Sequence, residues 1–232
     1  MIKVLQDWNE IGKAYLYLAS KQLSLHLDWP KNWDFFLLHQ MIENLPRESR
    51  IIDLGCGKGE TLKFLHSMGF RNITGVDLKI PFRLRLSALK RGCAQGAIGV
   101  PFKLRQENCE KLSFPSNYFD SAICVSVIEH VENFFALLAE AFRIIVPGGT
   151  FFLTTDYWED VCAERCDLTL FGRKWRIFNR IELGALVQSA CKMGFELVEQ
   201  VEIPSCKEGC LYYKPGTYYT FAALIFKKRN DL

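Results

Sequence analysis

Residues Ile51–Glu60 read IIDLGCGKGE. Three apolar residues bracket a carboxylate, three glycines follow within five positions, and a helical pattern begins at Glu60. A short apolar run that breaks on glycine predicts a buried strand, a tight turn and a helix start, the place where α/β proteins hold nucleotides. Two nucleotide loops fail here. A phosphate-cradling P-loop needs Gly-Lys followed by Ser or Thr, and Gly57-Lys58 is followed by Gly59. A dinucleotide fingerprint needs its third glycine at the position of Glu60 and seats a pyrophosphate on the helix N-terminus, beside which Asp53 and Glu60 would be repulsive.

Outward from this loop, short apolar strands alternate with amphipathic helices. Strands are predicted at Arg50–Leu54, Asn72–Asp77, Pro101–Gln106, Phe119–Ser126 and Thr150–Thr155. Helices are predicted at Glu60–Met68, Pro81–Arg91 and Glu132–Val146, the last stopped by Pro147-Gly148-Gly149. Alternation of this kind calls for a parallel sheet between helical layers. Two helices lead the chain, over Ile11–Leu25 and Trp33–Leu45, and it closes with a helix at Ile181–Met193 and strands at Phe195–Ile203 and Thr217–Phe226. The 232 residues, 49% hydrophobic and 24% charged, are read as one domain: leading helices to residue 46, a core over 47–155, and an acceptor-side insertion with the last strands over 156–232. A net charge of +3, with 29 basic residues scattered among 26 acidic ones, gives no nucleic-acid footprint. Nine dispersed cysteines and the lack of a long uncharged apolar stretch suggest a reducing, cytoplasmic setting without a membrane span.

A ligand with adenosine, a sulfonium cation, an ammonium and one carboxylate would gain from acidic neighbours, and S-adenosylmethionine has those groups. The sequence resembles the class I S-adenosylmethionine-dependent methyltransferases over Trp33–Phe226, near their small-molecule, quinone-methyltransferase branch. IIDLGCGKGE resembles the first motif, with Asp53 close to the cofactor and Gly55 and Gly57 admitting it to the backbone. ITGVDL ends in Asp77, twenty-two positions after Gly55, where a carboxylate can accept from both ribose hydroxyls. ENCEKLSFPSNYFD resembles the third-strand segment, with Asn108 where the family commonly has Asp for the adenine amino group, and Cys109 beside the adenine through its amide. FDSAICVSVIEHV and RIIVPGGTFFLTT resemble the fourth strand exit and the turn into the fifth. Cys56, Leu78 and Val125 complete the cofactor contacts that the resemblance implies. The implied fold is a Rossmann-like sandwich, a seven-stranded and mostly parallel sheet with a C-terminal antiparallel strand and helices on both faces.

For chemistry the resemblance implies in-line methyl displacement to an O, N or C atom of a small molecule. His130, after the fourth strand at the carboxyl edge of the sheet, is the candidate general base, with a backbone-bonding histidine as the bland alternative. Glu129 is the weaker candidate. Asp156, Tyr157 and the aromatics of 156–180 and 204–216 are candidates for the acceptor pocket or for simple core caps. Arg173, Lys174 and Arg176 could hold an anionic acceptor or form a solvated face, and an RNA methyltransferase would use Arg173–Arg176 with Lys227–Arg229. An RNA methyltransferase and a non-catalytic cofactor-binding protein remain alternatives. Cys162/Cys166 and Cys206/Cys210 have a metal-like spacing without histidines, and no metal is expected.

Overall fold

The computed structural model describes residues 1–86, 102–160, 168–170, 172–199, 202–206, 209–214 and 217–230. Five parallel strands form its centre: β2 (Arg50–Leu54), β3 (Asn72–Asp77), β4 (Lys103–Gln106), β5 (Phe119–Val125) and β6 (Ile145–Tyr157). The last strand, β11 (Thr217–Lys228), runs antiparallel against β6 from Thr220↔Tyr157 to Lys227↔Thr150. The path through the sheet is β1-β11-β6-β5-β2-β3-β4. Its edge is made by a strand that periodicity does not reveal, β1 (Ile2–Val4), antiparallel to β11 at Ile2↔Leu224. Further along the same edge sits β9 (Phe195–Leu197), and β10 (Leu211–Lys214) folds back on β11 as a hairpin. Within 156–180, β7 (Thr169–Leu170) and β8 (Arg173–Lys174) form a small separate hairpin.

Successive strand residues enter opposite cores, as the pleat requires. Ile52, Ala122, Cys124, Phe151, Leu153 and Leu224 pack with α4 (Phe134–Ile144) and α5 (Arg180–Met193). Their neighbours Ile51, Ile123, Phe152, Ala223 and Ile225 pack with α1 (Trp8–Ser20), α2 (Asn32–Ile42) and α3 (Glu60–Ser67). Near-continuous apolar strands with helices on both faces are the pattern of a buried parallel sheet. The helices begin where local chemistry stops them fraying: Asp7 caps α1 by accepting from Glu10 N at 3.0 Å, and Asn179 and Glu182 form a reciprocal capping box on α5.

Pro147-Gly148-Gly149 does not simply separate helix from strand. α4 ends at Ile144, β6 starts at once, and the three turn residues make an irregular stretch between the pairs Phe119↔Ile145 and Ser121↔Thr150. The strand expected over Phe195–Ile203 is shorter: among the described residues the ladder with β11 covers Phe195–Leu197, and Val198 N adds one bond to Ile225 O at 3.2 Å. The helix expected from Pro81 is seen at residues 82–86, and its remainder to Arg91 lies outside the described residues. Among the described residues no helix is long and apolar enough to cross a membrane.

Candidate active site

The glycine loop leaves β2 and turns back over the end of β3. Gly55 N and Cys56 N both donate to Val76 O, at 2.8 and 2.9 Å. Gly55 has φ +80°, and a Cβ there would lie 2.4 Å from Val127 Cγ2, so only glycine lets the loop pass under the segment leaving β5. Asp77, last in β3, organises this turn: its Oδ2 accepts from Gly57 N at 2.9 Å and its Oδ1 from Lys79 N at 3.0 Å. Each oxygen keeps a further lone pair for a ligand. Asp53 is 1% exposed, its Oδ2 has no hydrogen-bond partner among the described residues, and burial, then the nearby Asp77 charge, pushes its pKa up to about 8. Glu60 does not face the loop alone, because Lys63 Nζ binds it at 2.7 Å.

The other expected cofactor contacts vary in character. Cys56 is buried, and burial with the Asp53 and Asp77 charges drives its thiol far above the usual range, so it acts as a small apolar wall. Leu78 is exposed just past Asp77, and Val125 is half-buried at the end of β5. Cys109 is buried, whereas Asn108 is exposed and its Oδ1 accepts from Glu110 N at 2.9 Å, so any second acceptor role would be shared with that turn.

Beyond β5 the chain turns sharply. Ser126 has φ +51°, and Ile128–His130 form one turn of 3-10 helix with His130 N donating to Val127 O at 2.9 Å. His130 is half-buried and close enough to Asp156 for the two charges to interact. The tight turn also brings in Glu129, which a regular strand would have pointed away. Glu129 is 2% exposed; its Oε2 accepts from Thr155 Oγ1 at 3.4 Å and its Oε1 has no partner among the described residues. Asp156 ends β6, and Trp175 Nε1 donates to its Oδ2 at 2.7 Å. Asp34 of α2, fully buried, accepts from Thr154 Oγ1 at 3.4 Å, while its Oδ1 is likewise partnerless.

One cation joins this group. Lys31 Nζ lies 3.6 Å from Asp34 and 3.8 Å from Asp156, donates to Ser126 Oγ, and sits 3.3 Å from the centroid of the Phe221 ring. Burial raises all three carboxyls, Asp34 to about 6, with Lys31 pulling each back and the neighbouring carboxylates pushing Asp34 and Glu129 further up. Sequence reading gave no weight to Lys31 or Asp34 and little to Glu129. The Glu-His pair after one strand and Asp156 near the end of the next were the visible signals.

The insertion forms the roof of this region: Arg176 N donates to Glu129 O and Phe178 N to Asp156 O, each at 3.0 Å. Tyr157, Trp175 and Phe178 are buried and act as core caps, while Tyr212 and Tyr218 are exposed. Arg176 lies against the Phe134 and Phe178 rings, and Lys174 is exposed. Phe171, Cys162 and Cys166 lie outside the described residues, as do the side chains of Arg173 and Tyr213. Cys206 and Cys210 are buried, and no group of three His, Cys, Asp or Glu among the described residues could hold a metal ion.

A parallel sheet of this order, with an antiparallel strand beside β6 and a glycine loop after the first parallel strand, defines the Rossmann-like class I methyltransferase fold. Residues 52–153 match the family described as methyltransferase domain. The Neurospora crassa sterol 24-C-methyltransferase erg-4 is 22% identical over 74% of this chain and 46% of its own length. A ubiquinone biosynthesis O-methyltransferase of Methylobacterium is 31% identical over 45% of this chain and 40% of its own. The matches thus span less than half the length of these curated relatives.

Among solved structures, the 4+2 cyclase SpnF is 16% identical, covers 98% of each chain and superposes with a TM-score of 0.65. The Burkholderia thailandensis 1,6-didemethyltoxoflavin-N1-methyltransferase, solved with S-adenosylhomocysteine, is 18% identical, with a TM-score of 0.61 over 95% of this chain and 88% of its own. At these identities the likeness is one of fold. The donor set nevertheless fits the cofactor: a partnerless buried carboxylate oxygen on Asp53 suits a cationic donor group, and Asp77 retains acceptor capacity next to an open glycine backbone.

Proposed function

We propose that this protein transfers a methyl group from S-adenosylmethionine to a small-molecule acceptor by in-line displacement. The observation that carries the reading is the pairing of Asp77 with the glycine loop at the carboxyl edge of β2 and β3, beside Asp53, whose Oδ2 has no partner among the described residues. In this reading Gly55, Cys56 and Gly57 form the cofactor loop, Asp53 and Asp77 supply acceptors on either side, and Leu78, Asn108, Cys109 and Val125 line the adenine and methionine ends. The whole chain then works as one domain, with residues 156–232 on the acceptor side.

The bound cofactor would supply an activated methyl electrophile, leaving the protein to position the acceptor, a contribution worth roughly 7 to 11 kcal/mol. Asp77 and the loop hold the donor, and the roof over Glu129 and Asp156 excludes water. His130 takes the proton of a hydroxyl or amine acceptor. No observation favours an RNA acceptor, since Arg176 is spent on the Phe134 and Phe178 rings.

Calorimetry with S-adenosylmethionine, S-adenosylhomocysteine and NADH tests the cofactor, followed by S-adenosylhomocysteine release over an acceptor panel. Binding of NADH with no response to either sulfur ligand would overturn the reading. A cofactor-bound protein that never releases S-adenosylhomocysteine would fit a non-methylating role on the same fold.

A further inference from the structure

Glu129, Asp34 and Asp156 come from three distant parts of the chain, and together they carry three buried carboxyls against one ammonium, that of Lys31. The ammonium is fully occupied, by Asp34, Asp156, the Ser126 hydroxyl and the face of Phe221. Among the described residues no ion pair reaches Glu129. Glu129 and Asp34 each use one oxygen on adjacent threonines of β6, Thr155 and Thr154, and each leaves its other oxygen buried and partnerless among the described residues. A buried acceptor without a donor is destabilising, so two in one cluster mark a place that a further donor would complete. The position of Lys31 shows which chemistry the cluster takes, an alkylammonium held by carboxylates and an aromatic face.

On the methyltransferase reading, and going beyond it to the acceptor class, we propose that Glu129 and Asp34 form a recognition subsite for a protonatable nitrogen of the acceptor. The acceptor is a small molecule bearing an amine, whose N–H groups complete Glu129 Oε1 and Asp34 Oδ1. The same excess of carboxylates rejects acceptors with a carboxylate or phosphate at that end, because a buried like charge finds no partner there. Glu129 and Asp34 are specificity residues in this scheme, and the proton transfer stays with His130. The raised carboxyl pKa values agree with a cluster short of positive charge.

Benzylamine, benzyl alcohol and benzoate share one ring and differ only in the polar group. Each is titrated at pH 7 into protein saturated with S-adenosylhomocysteine, with ligand-observed NMR as the readout and calorimetry confirming the saturation. The expected order places benzylamine at least about tenfold tighter than benzoate. Glu129→Gln, an isosteric change, should shrink that ratio, and Asp34→Asn should do so independently if the first variant folds poorly. Equal affinity for the amine and the carboxylate, no binding by any of the three, or an amine preference untouched in both folded variants would overturn the proposal. Failure of S-adenosylhomocysteine to bind at the outset would instead bring down the underlying methyltransferase reading.

Discussion

Asp77 Oδ2 accepts the backbone amide of Gly57 at 2.9 Å, so the residue that ends β3 also sets the shape of the loop that leaves β2. Asp77→Ala removes this bond and the ligand-facing acceptor together. Cofactor affinity should fall by about 1.5 to 3 kcal/mol, the usual worth of a hydrogen bond to a charged group, while the protein stays folded. Calorimetry with S-adenosylhomocysteine checks this, and unchanged affinity would reduce Asp77 to a loop-shaping residue.

Gly55→Ala meets two obstacles at once, a positive φ and a contact at 2.4 Å with Val127. The left-handed backbone alone costs a non-glycine residue roughly 1 to 2 kcal/mol. A lowered unfolding midpoint in urea is expected. Adding Val127→Ala should recover the steric part and leave the backbone part, so full recovery in the double variant would show that φ carries no cost there.

Burial holds the pKa values of Asp53 and Asp34 at about 8 and about 6, well above the ordinary aspartate range, so the folded state binds more protons than the unfolded chain above about pH 4. Stability of the ligand-free protein should therefore fall as pH rises, through about pH 6 for Asp34 and through about pH 8 for Asp53, at up to about 1.4 kcal/mol per pH unit and group. Asp53→Asn should flatten the upper part of that slope. A melting temperature that holds steady from pH 5 to pH 8.5 in the native protein would contradict it.

His130→Ala should lower turnover by about 10² to 10⁴ while cofactor affinity changes little, if His130 takes the acceptor proton. The comparison needs a pH–rate profile with a working acceptor. A limb of the profile present in the native protein and lost in the variant is the expected signature. Full activity across that range would leave positioning as the whole mechanism.

The alternation of strands and helices, the glycine turn and the spacing from Gly55 to Asp77 were legible in one dimension because each depends on residues near in sequence. Side-chain period separates strand from helix, glycine marks positive φ, and a βαβ unit places the second strand's end beside the first. From these alone follow the class of fold and the kind of cofactor. The edge strand Ile2–Val4 was not legible, because three residues carry no period and it is held by pairing with β11 and by burial of Ile2 and Val4, both tertiary. The acceptor side was legible only in part, through the Glu-His pair and Asp156. That Lys31, Asp34, Glu129 and Asp156 meet is a consequence of the start of α2 reaching Ser126 and Thr154 at the carboxyl ends of β5 and β6 while a 3-10 turn rotates Glu129 inward. Tertiary structure alone decides such a cluster, since burial turns scattered carboxylates into coupled ones, and burial is set by elements more than a hundred residues apart, as with Asp34 and Thr154.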